Sequence, residues 1–177
     1  MIRASIPLLY AHWEGFIKKS AEKYIEYLSN LRLRYADLEE CLIVLGMRKQ
    51  LNVIVTTNKH DLLSESLNFI LSGQSERATL NFDSAIHTES NLKSHVFDNI
   101  AKSIGVSVEQ FTTKYNFIDE SLLKRRNSIA HGEFLDVNAK QWKEISQETL
   151  TLMRCFKNEL LNNASTKRYL KKQDTAH

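Results

Sequence analysis

The run Trp13-Glu14-Gly15-Phe16-Ile17-Lys18-Lys19-Ser20-Ala21-Glu22-Lys23-Tyr24-Ile25-Glu26-Tyr27-Leu28-Ser29-Asn30-Leu31 decides the fold class. Trp13, Phe16, Ile17, Tyr24, Ile25, Leu28 and Leu31 recur at three- and four-residue steps, the period of one apolar helix face. Just upstream, Ser5-Ile6-Pro7 has the form of a helix start, with serine as cap and proline in the first turn, where its missing donor is no loss. One long bundle helix of about seven turns is predicted.

Composition extends that reading to the whole chain. At 177 residues it is long enough for one domain with a substantial core. One proline and five glycines leave few breaks, and leucine, isoleucine, lysine and glutamate dominate, so an all-α protein is expected. No apolar run approaches the ~20 residues of a membrane span, and Met1 to Pro7 is too poor in apolar residues for a signal peptide. A cytoplasmic protein with no membrane partner is expected. Cys41 and Cys155 lie in apolar helical patterns without nearby partners and read as reduced thiols in or near the core. A net charge of +3 is too small by itself to argue for nucleic acid.

A second helical region is predicted over 36–55, with Gly46 as a candidate break. Within it the β-branched run 51–57 is compatible with a strand on propensity, but no partner strand is evident and a helix is preferred. A third helix over 59–71 ends at Ser72-Gly73. Residues 74–89 are the least regular, with Leu80, Phe82 and Ile86 at even positions, and fit either a short extended excursion or a surface loop. The next helix covers about 90–105. His87 and His95 lack the spacing or carboxylate neighbours of a helical zinc site, so neither a metal nor a cofactor is expected.

Ser107 with Gln110 has capping-box spacing for a short helix, Asn116 is a candidate cap for the helix that follows, and Asn138 with Gln141 is a second box. The last helix carries Trp142, Ile145, Thr149, Leu152, Met153, Phe156 and Leu160 on one stripe, as core or as a dimer seam. Residues 1–162 form the expected domain. Residues 163–177, with Lys167, Arg168, Lys171 and Lys172 and no steady apolar face, are expected to be a flexible basic tail.

The chemistry lies in Leu122-Leu123-Lys124-Arg125-Arg126-Asn127-Ser128-Ile129-Ala130-His131-Gly132. Leu122, Leu123, Ile129 and Ala130 supply an apolar face, and Gly132 is placed to follow the helix end in a left-handed conformation. His131 then stands at or near the last helical position, where a side chain that exchanges protons near neutral pH can give or take one. Arg126, five residues upstream, is about 140° around and roughly 7.5 Å along an ideal helix. The two side chains therefore share no face, and converge only if the helix frays at His131 or a second copy supplies one of them. A bland reading stays open: Arg126 salt-bridged to Asp119 or Glu120, Asn127 facing water and His131 capping the helix, in a non-catalytic module that binds a partner or nucleotide. A helix-turn-helix DNA binder is weaker, since no short helix pair precedes a basic recognition face.

Arg126, the polar Asn127 after it, small apolar residues before His131 and Gly132 behind it together resemble the signature of the HEPN superfamily. The opening Tyr10-Ala11-His12-Trp13-Glu14-Gly15 is similar to the first helix of its stand-alone bacterial nucleases of toxin and defence type. The resemblance implies an up-and-down helical bundle with a long N-terminal helix, short extra helices and an irregular insertion near 74–89. It also implies a metal-independent endoribonuclease with two motif helices meeting across a two-fold axis, hence a homodimer, and an antitoxin or defence-system protein as a candidate partner. His131 is then general base or acid, Arg126 clamps the scissile phosphate, and Asn127 fixes the imidazole or a phosphate oxygen. Glu14, Arg125 and Glu133 are candidate supporting residues, Glu14 and His12 reading equally as solvated surface. Lys124, Lys167 and Arg168 are candidate RNA contacts.

Overall fold

The structure is a computed structural model and describes residues 2–82 and 91–172. Seven α-helices are present among them: α1 (Ile2–Asn30), α2 (Glu40–Gly46), α3 (Arg48–Thr56), α4 (His60–Ser72), α5 (Ser94–Ser103), α6 (Arg125–Ala130) and α7 (Ala139–Ser165). Short 3-10 turns cover Tyr35–Asp37, Gly73–Ser75 and Glu109–Lys114, and a wide π-helical stretch, Phe117–Lys124, leads into α6. The all-α expectation holds, the described residues forming helices with only two isolated β-bridges, Arg34 to Arg77 and Leu38 to Leu170.

The α1 stripe is the spine. Ile6, Tyr10, Trp13, Ile17, Ala21, Tyr24, Ile25 and Leu28 are all buried. Helix α7 lies beside it in the same direction: Leu9 and Phe16 share a groove with Leu150 and Met153, and farther along Tyr24 and Tyr27 share one with Leu161 and Ala164. An aromatic knot joins α1, α5, the 109–114 turn and α7. Phe97 stands 5.6 Å from Trp13, 5.0 Å from Phe111 and 5.7 Å from Phe156, in tilted and edge-on geometries favoured by ring quadrupoles.

Several expectations are corrected. Helix α1 begins at Ile2, so Pro7 is interior and leaves the Arg3 carbonyl without its helical donor. Ser5 donates its hydroxyl back to the Ile2 carbonyl instead of capping. The anticipated break in the 36–55 region does fall at Gly46-Met47, between α2 and α3, and a Cβ at Gly46 would meet the Tyr35 ring at 2.6 Å, so glycine is required there. Ser107 caps nothing; Val108 precedes the 3-10 turn. Asn116 has helical backbone angles and makes no side-chain cap, since the chain runs helically through it from one turn into the next. The Asn138–Gln141 box does form, Asn138 Oδ1 accepting from the Gln141 N–H at 2.9 Å.

The β-branched run joins helix α3, which pairs with α4 as a hairpin arm. No residue of α3 is buried and only Ser66 of α4 is, so Ile54, Val55, Leu62, Leu67 and Leu71 face outward. The described part of the expected tail is docked. Asn163 is buried and donates to the Gly105 carbonyl at 2.8 Å, Tyr169 is buried beside Tyr27, and its carbonyl accepts from the Glu39 N–H at 3.0 Å. His87 and the later part of the irregular segment, from residue 83 on, lie outside the described residues.

Candidate functional site

Two local devices place the motif. The π-helical stretch buries Ile118, Leu122 and Leu123, anchoring the approach to α6 in the core. At the far end the chain closes with two bonds of a Schellman cap: the Gly132 N–H to the Ile129 carbonyl at 3.1 Å, and the Glu133 N–H to the Ser128 carbonyl at 2.9 Å. Gly132 supplies the left-handed residue the cap requires, at φ +80°. His131 is the capping residue, exposed, with its N–H held by the Asn127 carbonyl at 2.9 Å.

Arg126 lies inward of it, half-buried. Its guanidinium carbon is 5.4 Å from the centroid of the Tyr10 ring, and its Nη1 donates to Asn127 Oδ1 at 2.8 Å. Tyr10 is itself fixed. It is buried, and its hydroxyl accepts the Leu92 N–H at 2.6 Å. Burial, with the charge of Glu14 adding to it, pushes the phenol up to about 12, so it stays neutral across the working range of pH. Helix α1 also grips the cap, Arg3 Nη2 donating to the Glu133 carbonyl. Helices α1 and α6 are thus antiparallel neighbours.

The acids that a purely structural Arg126 would need are engaged elsewhere. Asp119 accepts from the backbone N–H and hydroxyl of Ser94 at 2.8 and 2.5 Å, capping α5, and Glu120 pairs with Lys124 at 2.7 Å. One short helix therefore carries a half-buried guanidinium on its inner side and, at its capped end, an exposed imidazole. A model of the family described as RiboL-PSP-HEPN matches residues 1–162. The chain belongs to the RiboL-PSP-HEPN family. No curated protein and no solved structure matches it.

Around this HEPN motif the remaining candidates separate. Glu14 is one turn beyond Tyr10 on α1, half-buried and paired with Lys18 at 2.6 Å. His12 is on another face, lining the groove with Phe16 and Met153. Asn127 turns its amide oxygen to Arg126, whereas the sequence reading aimed it at the imidazole or a phosphate. Arg125 points away, bordering a groove with Ser121, Gln141, Glu144 and Glu148. Lys167 and Arg168 follow α7 next to Tyr169, which contacts Tyr27, about 25 Å along α1 from Tyr10. Arg168 reaches toward Glu159 at 4.0 Å. Sequence reasoning left two residues without a role: Arg3, which carries no pattern signal, and Tyr10, quoted only within the opening motif and given no function there. Among the described residues no three His, Cys, Asp or Glu side chains group as a metal set, and no helix is long and apolar enough to cross a membrane.

Proposed function

We infer that this HEPN domain is a metal-independent endoribonuclease. The observation that carries the reading is the placed Arg126: its guanidinium lies over the Tyr10 ring with Nη1 on Asn127, while the motif-side acids Asp119 and Glu120 are engaged elsewhere, which supports a role for its charge on phosphate oxygens. In the proposed reaction a base removes the proton of an RNA 2′-hydroxyl, the oxygen attacks the adjacent phosphorus, and the 5′-oxygen leaves with a proton from an acid. The products are a 2′,3′-cyclic phosphate and a 5′-hydroxyl. Arg126 stabilises the dianionic phosphorane between them.

One imidazole does not easily serve as base and acid in the same step, so two copies of His131 across a two-fold axis are proposed to share the work in a homodimer. Glu14, Arg125 and Glu133 are proposed as supporting groups and Lys124, Lys167 and Arg168 as contacts to RNA outside the cleft, the last two only for a substrate reaching the far end of α1. The proposed setting is the cytoplasm, as a toxin or phage-defence effector with an antitoxin or defence-system partner. A second reading, a non-catalytic partner-binding HEPN module, is favoured by the outward apolar face of α3 and α4.

Cleavage of labelled single-stranded and transfer RNA in EDTA separates the two. The nuclease reading expects cyclic-phosphate ends from the wild type and a loss of at least about a hundredfold in both Arg126→Ala and His131→Ala. Absence of cleavage by wild type, or variants that cut as well as it does, would leave partner binding as the function.

A further inference from the structure

We propose that Tyr10 is a positioning residue that holds the Arg126 guanidinium in its phosphate-binding orientation. This inference rests on the ribonuclease reading for its consequence and on geometry for its existence. An arginine at the edge of a short helix has many rotamers, and the freedom lost in fixing it opposes every contact it makes. Here the Tyr10 ring supplies a flat surface 5.4 Å from the guanidinium carbon. A stacked guanidinium uses its face and keeps its in-plane N–H fork for an anion, which a salt bridge to a carboxylate would consume.

The ring is held by a closed circuit of contacts. The Tyr10 hydroxyl takes the N–H of Leu92, a residue with no exposed surface. Two residues on, Ser94 opens α5 with its N–H and hydroxyl on Asp119, and Asp119 belongs to the π-helical stretch that runs directly into Arg126. Asn127 Oδ1 takes one guanidinium N–H, that of Nη1, at 2.8 Å. The hydroxyl bond is what any buried tyrosine needs; the cation over the ring is what core packing alone does not require.

The test compares Tyr10→Phe, which keeps the ring and loses the hydroxyl, with Tyr10→Leu, which keeps apolar bulk and loses the ring, each alone and combined with Arg126→Ala. Tyr10→Met, a more adaptable filler, replaces the leucine variant should that one not fold. Tyr10→Phe is expected to keep kcat within about threefold of wild type, and Tyr10→Leu to lower kcat about tenfold with KM nearly unchanged, as loss of a partly desolvated cation–π contact implies. On the Arg126→Ala background the leucine change is expected to add nothing. A further loss there, or a leucine variant that cuts like wild type, overturns the proposal while leaving the nuclease reading intact. The Arg126 Nε–H resonance gives a readout independent of cleavage: it is expected to carry a ring-current shift in wild type and Tyr10→Phe and to lose it in Tyr10→Leu. If wild type cuts no RNA the nuclease reading fails, and this resonance alone decides, an unchanged signal in Tyr10→Leu rejecting the positioning role.

Discussion

At the scale of single residues, the site depends on contacts that helical periodicity does not suggest. Neighbouring side chains on a helix do not face one another, so the pairing of Arg126 with Asn127 is invisible to a reading of spacings. It arises because the long arginine folds back over Tyr10, across to another element. That geometry makes a prediction about Asn127. Asn127→Asp would replace a neutral acceptor by a carboxylate, which holds the guanidinium more tightly and cancels the charge it offers to phosphate. The folded state is expected to be as stable as wild type by thermal melting, while kcat/KM for RNA falls about tenfold or more. Unchanged cleavage in that variant would mean that the charge of Arg126 is not used on the phosphate. His131 and Arg126 stood out as candidates because imidazole and guanidinium chemistry is conspicuous against a scaffold of leucine and lysine. Nothing in the sequence singled out Tyr10, since a buried aromatic on α1 has the same pattern whether or not a cation rests on it.

At the scale of elements, helix ends show where sequence signals are reliable. Helices α6 and α7 finish with the same cap: Gly132 stands at φ +80° after α6, and Lys167 takes the equivalent place after α7 at φ +53°, with the Arg168 N–H on the Asn163 carbonyl at 3.0 Å. Glycine announces such a turn and lysine does not, which is why the end of α6 was readable whereas the chain beyond 162 looked like a frayed tail. The two positions should respond oppositely to substitution. Gly132→Ala forces a side chain into the left-handed region and is expected to cost about 1 kcal/mol; Lys167→Gly relieves the same conformation and is expected to stabilise by roughly 0.5 kcal/mol. Urea unfolding of both variants measures this, and equal signs would refute the common cap. Because Gly132 follows His131, its alanine variant should also lower cleavage beyond what the stability change explains. The π-helical stretch had no sequence signature at all, its adjacent buried Leu122 and Leu123 being equally at home in an ordinary helix.

At the scale of the whole molecule, the all-α class followed from the α1 stripe and the scarcity of proline and glycine, but the distribution of burial did not. Periodicity says that a helix has an apolar face and not whether anything covers it, so α3 and α4 read as bundle helices and instead pair as an arm with leucines outward. Assembly raises the same problem for the motif, because His131 is exposed and its proposed counterpart would come from another copy. Mixing two inactive variants resolves it. An Arg126→Ala dimer has histidines and no motif arginine; a His131→Ala dimer has the reverse. After subunits exchange, about half the dimers are mixed, and each mixed dimer holds one arginine and one histidine on different chains. If the cleft is composite, those two groups face the same phosphate, water takes the proton step of the missing second imidazole, and cleavage reappears in the mixture at a small fraction of the wild-type rate, whereas neither parent cuts. If each protomer works alone, no chain in the mixture has both groups and the mixture stays as inactive as its parts. Sedimentation of the same samples supplies the control, since recovery of activity requires that dimers be present and that their subunits have exchanged.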